Sequence, residues 1–255
     1  MKWLERLRCR HTLKHHPIPH ETWETLMREA PLFYRLSLNE RAHLRVLATL
    51  FLHRKTFTGV QGLAISTEMA VAVAAQACLL ILKLDLDYYD GWVEIVLYPE
   101  AFRVERERVD VAGVVSDDSR VLSGESWSHG AVILSWADVA SELAVTYPGR
   151  NIVVHEFAHK LDMLNGSANG MPALHAEMEW AQWTAAFSNA FDHLQQQLAD
   201  HQQPPINPYA TTDPAEFFAV VSEYFFTAPE LLFEQYPEVY AQLVLFYRQA
   251  PIFRA

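Results

Sequence analysis

The run MAVAVAAQACLLIL, residues 69–82, carries one polar side chain, Gln76. A membrane-spanning helix needs about 20 apolar residues, so this run is short for a span and reads as a helix buried in a core. Ser66 or Thr67, in the preceding STEM, caps its first turn. A helix apolar on every side needs neighbours around it, and 255 residues that are 51% apolar supply an ample core. The basic N-terminus MKWLERLRCRHTLKHH has no continuous apolar stretch and is not expected to act as a secretory signal. Cys9 and Cys78 are the two cysteines, with no CxxC, which predicts free thiols and a cytoplasmic location. The net charge is −11 and the lysines and arginines are scattered, which argues against nucleic acid as a partner.

Helical spacing continues over 21–55, with Trp23, Leu26 and Met27 on one face and Leu44, Leu47, Leu50 and Phe51 on another. Upstream stand His11, His15, His16 and His20, read as exposed imidazoles on a surface arm or first helix. A histidine-rich tract is also able to bind metal. FTGVQGLAI (57–65) is strand-like. GWVEIVLYP (91–99), RVDVAGVV (108–115) and GAVILSW (130–136) read as strands of one sheet, with a polar loop between the last two. Beyond 150 the pattern is helical again. NIVVHEFAHKLDMLNG stops at Asn165-Gly166, and 173–202 forms a long amphipathic helix with Trp180, Trp183, Phe187, Phe191, Leu194 and Leu198 on its core stripe. Helices follow at 214–226 and near 237–249. The expected organisation is α+β in one compact unit, 1–255: helical over 1–56, sheet-rich over 57–140, helical over 141–255.

The helix VVHEFAHKLD, residues 153–162, carries the chemistry. Residues i and i+4 share a helical face, so His155 and His159 direct two imidazoles at one point. Zinc favours nitrogen donors, and such a pair spans it. Glu156 is offset by one residue, so its carboxylate stands beside the metal, placed to take a proton from an activated water. A catalytic zinc takes three protein ligands and keeps one open position. KLDMLNGSAN offers no third histidine, so the third ligand is expected to be a glutamate on a separate helix. Glu216 and Glu223 are seven apart and share a face. Glu216 also has a purely structural reading: Asp213 as N-cap, Pro214 as first helical residue and Glu216 third, the spacing of a capping box. Glu223 reads equally as a carboxylate on a solvated face. Spacing alone leaves the two open. No GxSxG and no convincing Cys–His pair supports a metal-free hydrolase.

VVHEFAHKLD followed by NPYATTDPAEFFAVVSEYFF resembles the Mlc titration factor A family of bacterial zinc peptidases, and GESWSHGAVILSW is similar to its strand before the zinc helix. The same paired pattern resembles the catalytic domain of anthrax lethal factor, a gluzincin. The resemblance covers most of 20–250. It implies His155, His159 and Glu216 as ligands to one Zn2+ per chain, Glu156 as catalytic glutamate, and Tyr209 as the tyrosine that steadies the oxyanion. One position departs from the lethal factor pattern: Val220 stands where an acid follows the glutamate ligand. Support for the ligands is then expected from Glu223, or from Asp162 accepting a ring N–H of His159. The implied fold is zincin-like: a mixed twisted sheet, an active-site HExxH helix, and further helices forming a cleft. GAVILSW is expected at the substrate-pairing sheet edge or next to it. The implied activity is metallopeptidase, aminopeptidase-like on small substrates, acting on a peptide or protein, with the Mlc repressor as a possible partner and neither nucleic acid nor membrane. The competing reading is a regulatory protein that sequesters a repressor and whose zinc is structural or vestigial.

Overall fold

The computed structural model describes residues 3–100, 102–109, 115–122, 124–126 and 130–253. Helices α1 (Trp3–His15), α2 (His20–Glu29) and α3 (Leu38–Arg54) come first. α2 buries Trp23, Leu26 and Met27, the face their spacing predicts. α3 opens with a capping box: Ser37 Oγ accepts from the Glu40 N–H, and Glu40 Oε2 accepts from the Ser37 N–H. Strand β1 (Thr56–Gly59), helix α4 (Thr67–Leu80) and strand β2 (Glu94–Tyr98) then form a parallel strand–helix–strand unit.

α4 is the apolar run. Ser66 caps it by accepting from the Met69 N–H at 3.2 Å, and every residue from 71 to 82 is buried. It is enclosed by α2, α3 and the helices that follow. Gln76 is fully buried, so both ends of its amide need partners. Nε2 donates to the Ala72 carbonyl at 3.2 Å, and Oε1 accepts from Asn151 Nδ2 at 2.7 Å. The one polar side chain in the run thus ties α4 to the start of the histidine-bearing helix.

Among the described residues, strands β3 (Phe102–Val109) and β4 (Val115–Leu122) pair with each other, antiparallel, as a separate two-stranded sheet. This corrects the expectation that 108–115 is one strand of the main sheet. The segment belongs to the end of β3 and the first residue of β4, and its positions 110–114 lie outside the described residues. The first half of the expected polar loop, 116–122, is β4 itself, and β5 lies within the second half. FRVERERV and VSDDSRVL are rich in charged residues and lack the run of apolar positions that a strand inside the main sheet needs; in register Arg106 stands opposite Asp118 and Glu107 opposite Asp117. The main sheet has the order β1-β2-β6-β5, where β5 is Gly124–Ser126 and β6 is Val132–Ser135. β1, β2 and β6 are parallel; β5 runs antiparallel on the edge. GAVILSW is therefore the neighbour of the edge strand. Ile95, Leu97, Val132 and Leu134 are fully buried.

Helices α5 (Trp136–Ala144), α6 (Ile152–Asp162), α7 (Trp180–Ala199), α8 (Pro214–Thr227), α9 (Pro229–Gln235) and α10 (Pro237–Tyr247) complete the chain. No helix among the described residues is long and apolar enough to cross a membrane. α6 lies against β5, β6 and α4 on one side and α8 on the other. Phe157 fixes the inner face, its ring 5.1–5.8 Å from those of Tyr89, Trp92 and Phe51. Burying such a side chain contributes about 1.5–3 kcal/mol. Lys160 reaches across: its Nζ donates to the Gly130 carbonyl at 2.9 Å and lies 4.9 Å from the Trp92 ring centre. The helix is therefore anchored to the chain just before β6 as well as to the core.

Candidate metal centre

The start of α6 is built from polar groups. Asn151 is the N-cap, with Oδ1 accepting from the Val154 N–H at 2.8 Å. The Asn151 N–H donates to Glu223 Oε2 at 2.5 Å, and the Ile152 N–H to Glu142 Oε2 at 2.6 Å. Two carboxylates at a helix N-terminus also suit its macrodipole. Burial pushes the Glu142 carboxyl upward, against the opposing pull of the Ile152 N–H and of Arg150, whose Nε donates at 2.8 Å. One and two turns on stand His155 and His159, their ring centroids 4.9 Å apart. The helix ends at Asp162 and runs through a tight turn, Met163–Asn165, to Gly166 at φ +148°.

α8 supplies the opposite wall. Asp213 Oδ1 accepts from the Glu216 N–H at 2.9 Å, and Pro214 is the first helical residue. Half of the capping box is thus present. The Glu216 carboxylate faces α6: Oε2 lies 3.0 Å from His155 Nε2 and 3.5 Å from His159 Nε2. Glu223, two turns later, stands behind His155 and accepts from Nδ1 at 2.8 Å through Oε1. Spacing could not separate these two glutamates; packing does. One converges with both imidazoles, and the other grips the far side of a single ring while holding the first N–H of α6.

The ligating atoms of His155, His159 and Glu216 all lie within 4.8 Å of one another, a group able to hold a metal ion. Its electrostatics fit a dication. Burial opposes a charge on His155, yet hydrogen bonds to Glu216 and Glu223 and the nearby Glu156 hold its pKa well above the ordinary imidazole value. Burial likewise opposes a charge on Glu216, but both histidines hold that carboxyl well below the usual range. His155 and Glu216 thus stabilise each other's charged forms, and a dication would take the place of the shared proton with two neutral imidazoles and the carboxylate as donors. That donor set, two imidazole nitrogens and a carboxylate oxygen, is of the kind zinc takes.

The other expected residues lie close by. Glu156 is buried, 4% exposed, and its charge is felt by both His155 and Lys160. Tyr209, in the short turn Pro208–Thr211, is 43% exposed with its ring centroid 6.1 Å from that of His155. Val220 is buried in α8. Asp162 is fully buried, but its Oδ2 accepts from the N–H groups of Asn169 and Gly170, each at 2.8 Å. Among the described residues it makes no hydrogen bond to His159, whose Nδ1 is buried without a hydrogen-bond partner.

Asp162 instead organises a loop that seats α8. Gly170 gives its N–H to Asp162 and accepts at its carbonyl from Trp183 Nε1 at 3.1 Å. Its φ is +76°, and a Cβ there would come within 2.4 Å of the Pro214 carbonyl oxygen. Spacing gave no sign of Gly170, Asn151 or Glu142; the one legible hint was the lone Gln76. Gly170→Ala is expected to lose about 1–2 kcal/mol to left-handed backbone strain and about 1–3 kcal/mol to overpacking. Pro214 begins the turn that carries Glu216, so metal affinity should fall as well. Thermal unfolding and a metal titration on the same protein check both effects.

The sequence pattern of the glucose-regulated metallo-peptidase M90 family matches residues 3–248. Among curated relatives, the Mlc titration factor A of Salmonella arizonae is 39% identical over 224 residues, covering 87% of this chain and 88% of that protein. That of Escherichia fergusonii is 36% identical over 235 residues, covering 91% and 87%. That of Salmonella paratyphi B is 38% identical over 224 residues, covering 87% and 83%.

Proposed function

The chain belongs to the glucose-regulated metallo-peptidase M90 family, and from that premise we propose that it is a zinc-dependent peptidase of zincin-like architecture whose centre is His155, His159 and Glu216. The observation that carries this reading is the convergence of the three ligating atoms beside a buried glutamate that is not one of them. Bound zinc supplies Lewis acidity, which acidifies a water and polarises a substrate carbonyl. Glu156 takes the proton from the attacking water and returns it to the leaving amine. Tyr209, half-exposed beside His155, donates its phenolic proton in a hydrogen bond to the oxyanion as it develops. Glu223 holds the His155 ring through Nδ1, leaving Nε2 toward Glu216. The outer side of β5, the end strand of the main sheet among the described residues, accepts an extended peptide as an added strand. The activity is aminopeptidase-like on small substrates, and the setting is cytoplasmic.

Elemental analysis of the zinc-reconstituted protein is expected to find one zinc per chain, and a chelator to remove peptide hydrolysis that added zinc restores. A protein that stays zinc-free after reconstitution, or that hydrolyses peptides equally well with chelator present, defeats the proposal. The name of the relatives, Mlc titration factor A, favours a second role, the binding of a repressor of the Mlc kind.

A further inference from the structure

We propose a second metal site, on the outer face of α1, in which His11 and His15 together bind a borderline transition-metal dication, Cu2+ most tightly. It lies outside the α6–α8 cluster and shares no residue with it. The two histidines are four apart on one helix, both are exposed, and their ring centroids are 4.4 Å apart with planes inclined at 37°. That spacing stacks two side chains over one point of the helix surface, the same geometric reason that His155 and His159 converge. In α6 the partners of the rings are carboxylates; around His11 and His15 the described contact is the one between the two rings.

The surroundings decide which ion fits. His11 borders a cavity of about 900 Å³ that also reaches His53, Asp87 and Asp90. Both aspartates are taken by Arg54, whose Nη1 lies 3.3 Å from Asp87 Oδ1 and 3.4 Å from Asp90 Oδ1. His16 stacks on His53 of α3, centroids 5.4 Å apart, and His20 faces Glu24 at 3.7 Å. The donor set is therefore two imidazoles completed by water. Hard, oxygen-seeking Mg2+ and Ca2+ are poorly served by a pair of imidazoles. Imidazole pairs favour the later first-row dications, with Cu2+ at the top of the affinity order. Arg8, Arg10 and Lys14 on the same helix repel a dication, though solvent and salt screen them at this exposed face. The site is accordingly weaker than the buried centre. A bound ion closes a clamp across the last turn of α1, where the chain leaves for α2, so metal binding and helix formation reinforce each other there.

The test is a CuCl2 titration of zinc-loaded protein at about pH 7.5, above the ordinary imidazole range, read by calorimetry, by nitrogen couplings in the electron paramagnetic resonance spectrum and by helical circular dichroism. The readout is the difference between wild type and His11→Ala or His15→Ala, so any exchange at the buried centre cancels. Each substitution is expected to weaken the surface Cu2+ by at least the about 10-fold that losing even an outer-sphere partner costs. His16→Ala and His20→Ala should bind as wild type does. Both target side chains are exposed, so folding is not at stake, and circular dichroism verifies it. Equal Cu2+ binding by wild type, His11→Ala and His15→Ala overturns the proposal, as does an equal loss in His16→Ala.

Discussion

Glu156→Gln is expected to lower peptide hydrolysis by about 10²- to 10⁴-fold, the usual contribution of a positioned general base, while the protein keeps its full zinc content. The two halves of that result come from one geometric fact. Glu156 sits between His155 and the next turn of α6, one residue off the face that carries the imidazoles, and is outside the converging set of His155, His159 and Glu216. Glutamine keeps the shape of the buried side chain and removes its capacity to take a proton. Steady-state cleavage of small peptides, with elemental analysis of the same preparations, reads both quantities. Loss of zinc together with activity would move Glu156 into the ligand set; retained activity would remove the proposed base. The same variant separates the two proposed roles. If a repressor of the Mlc kind still binds Glu156→Gln when hydrolysis is gone, capture and catalysis are distinct properties of one protein.

Local periodicity carried the helices well and the long-range partnerships poorly, for physical reasons visible at single residues. The buried face of α2 and the burial of α4 follow from side-chain spacing alone, because a helix displays its own periodicity. The third member of the metal group did not, since Glu216 and Glu223 share a face and only the packing of α8 on α6 distinguishes them. The start of α7 illustrates tertiary override. Helical spacing suggested a helix from residue 173 with Trp180 in the core, whereas α7 begins at Trp180, which is 67% exposed. Upstream, His175 donates from Nε2 to the Phe246 carbonyl at 2.7 Å and lies 3.3 Å from the Tyr88 hydroxyl, holding the chain in a loop. A strand pattern likewise misplaced 108–115, whose described residues fall in the β3–β4 pair and not in the main sheet. The resemblance, by contrast, chooses between Glu216 and Glu223 by residue identity, which spacing leaves ambiguous.

Glu223→Ala should weaken zinc binding by about 10- to 100-fold, the typical cost of removing a partner that orients a metal-ligating histidine, and should also destabilise the fold. Glu223 is 7% exposed and accepts from two donors at once: His155 Nδ1 at 2.8 Å and the Asn151 N–H at 2.5 Å. Alanine leaves both donors without their acceptor. An unsatisfied buried group costs about 1–3 kcal/mol, so the melting temperature falls alongside metal affinity. Glu223→Gln tests the division between these effects. Its one amide oxygen is able to serve either donor but not both, and its NH2 group meets the other as donor against donor. Zinc affinity and stability should therefore drop to values between those of wild type and Glu223→Ala. Because Glu223 reaches the metal group only through His155, the variant saturated with zinc should recover most of its turnover, whereas Glu156→Gln should not. A folded Glu223→Ala protein that binds zinc as tightly as wild type would show that the His155 ring is held without it, and that α8 serves the centre through Glu216 alone.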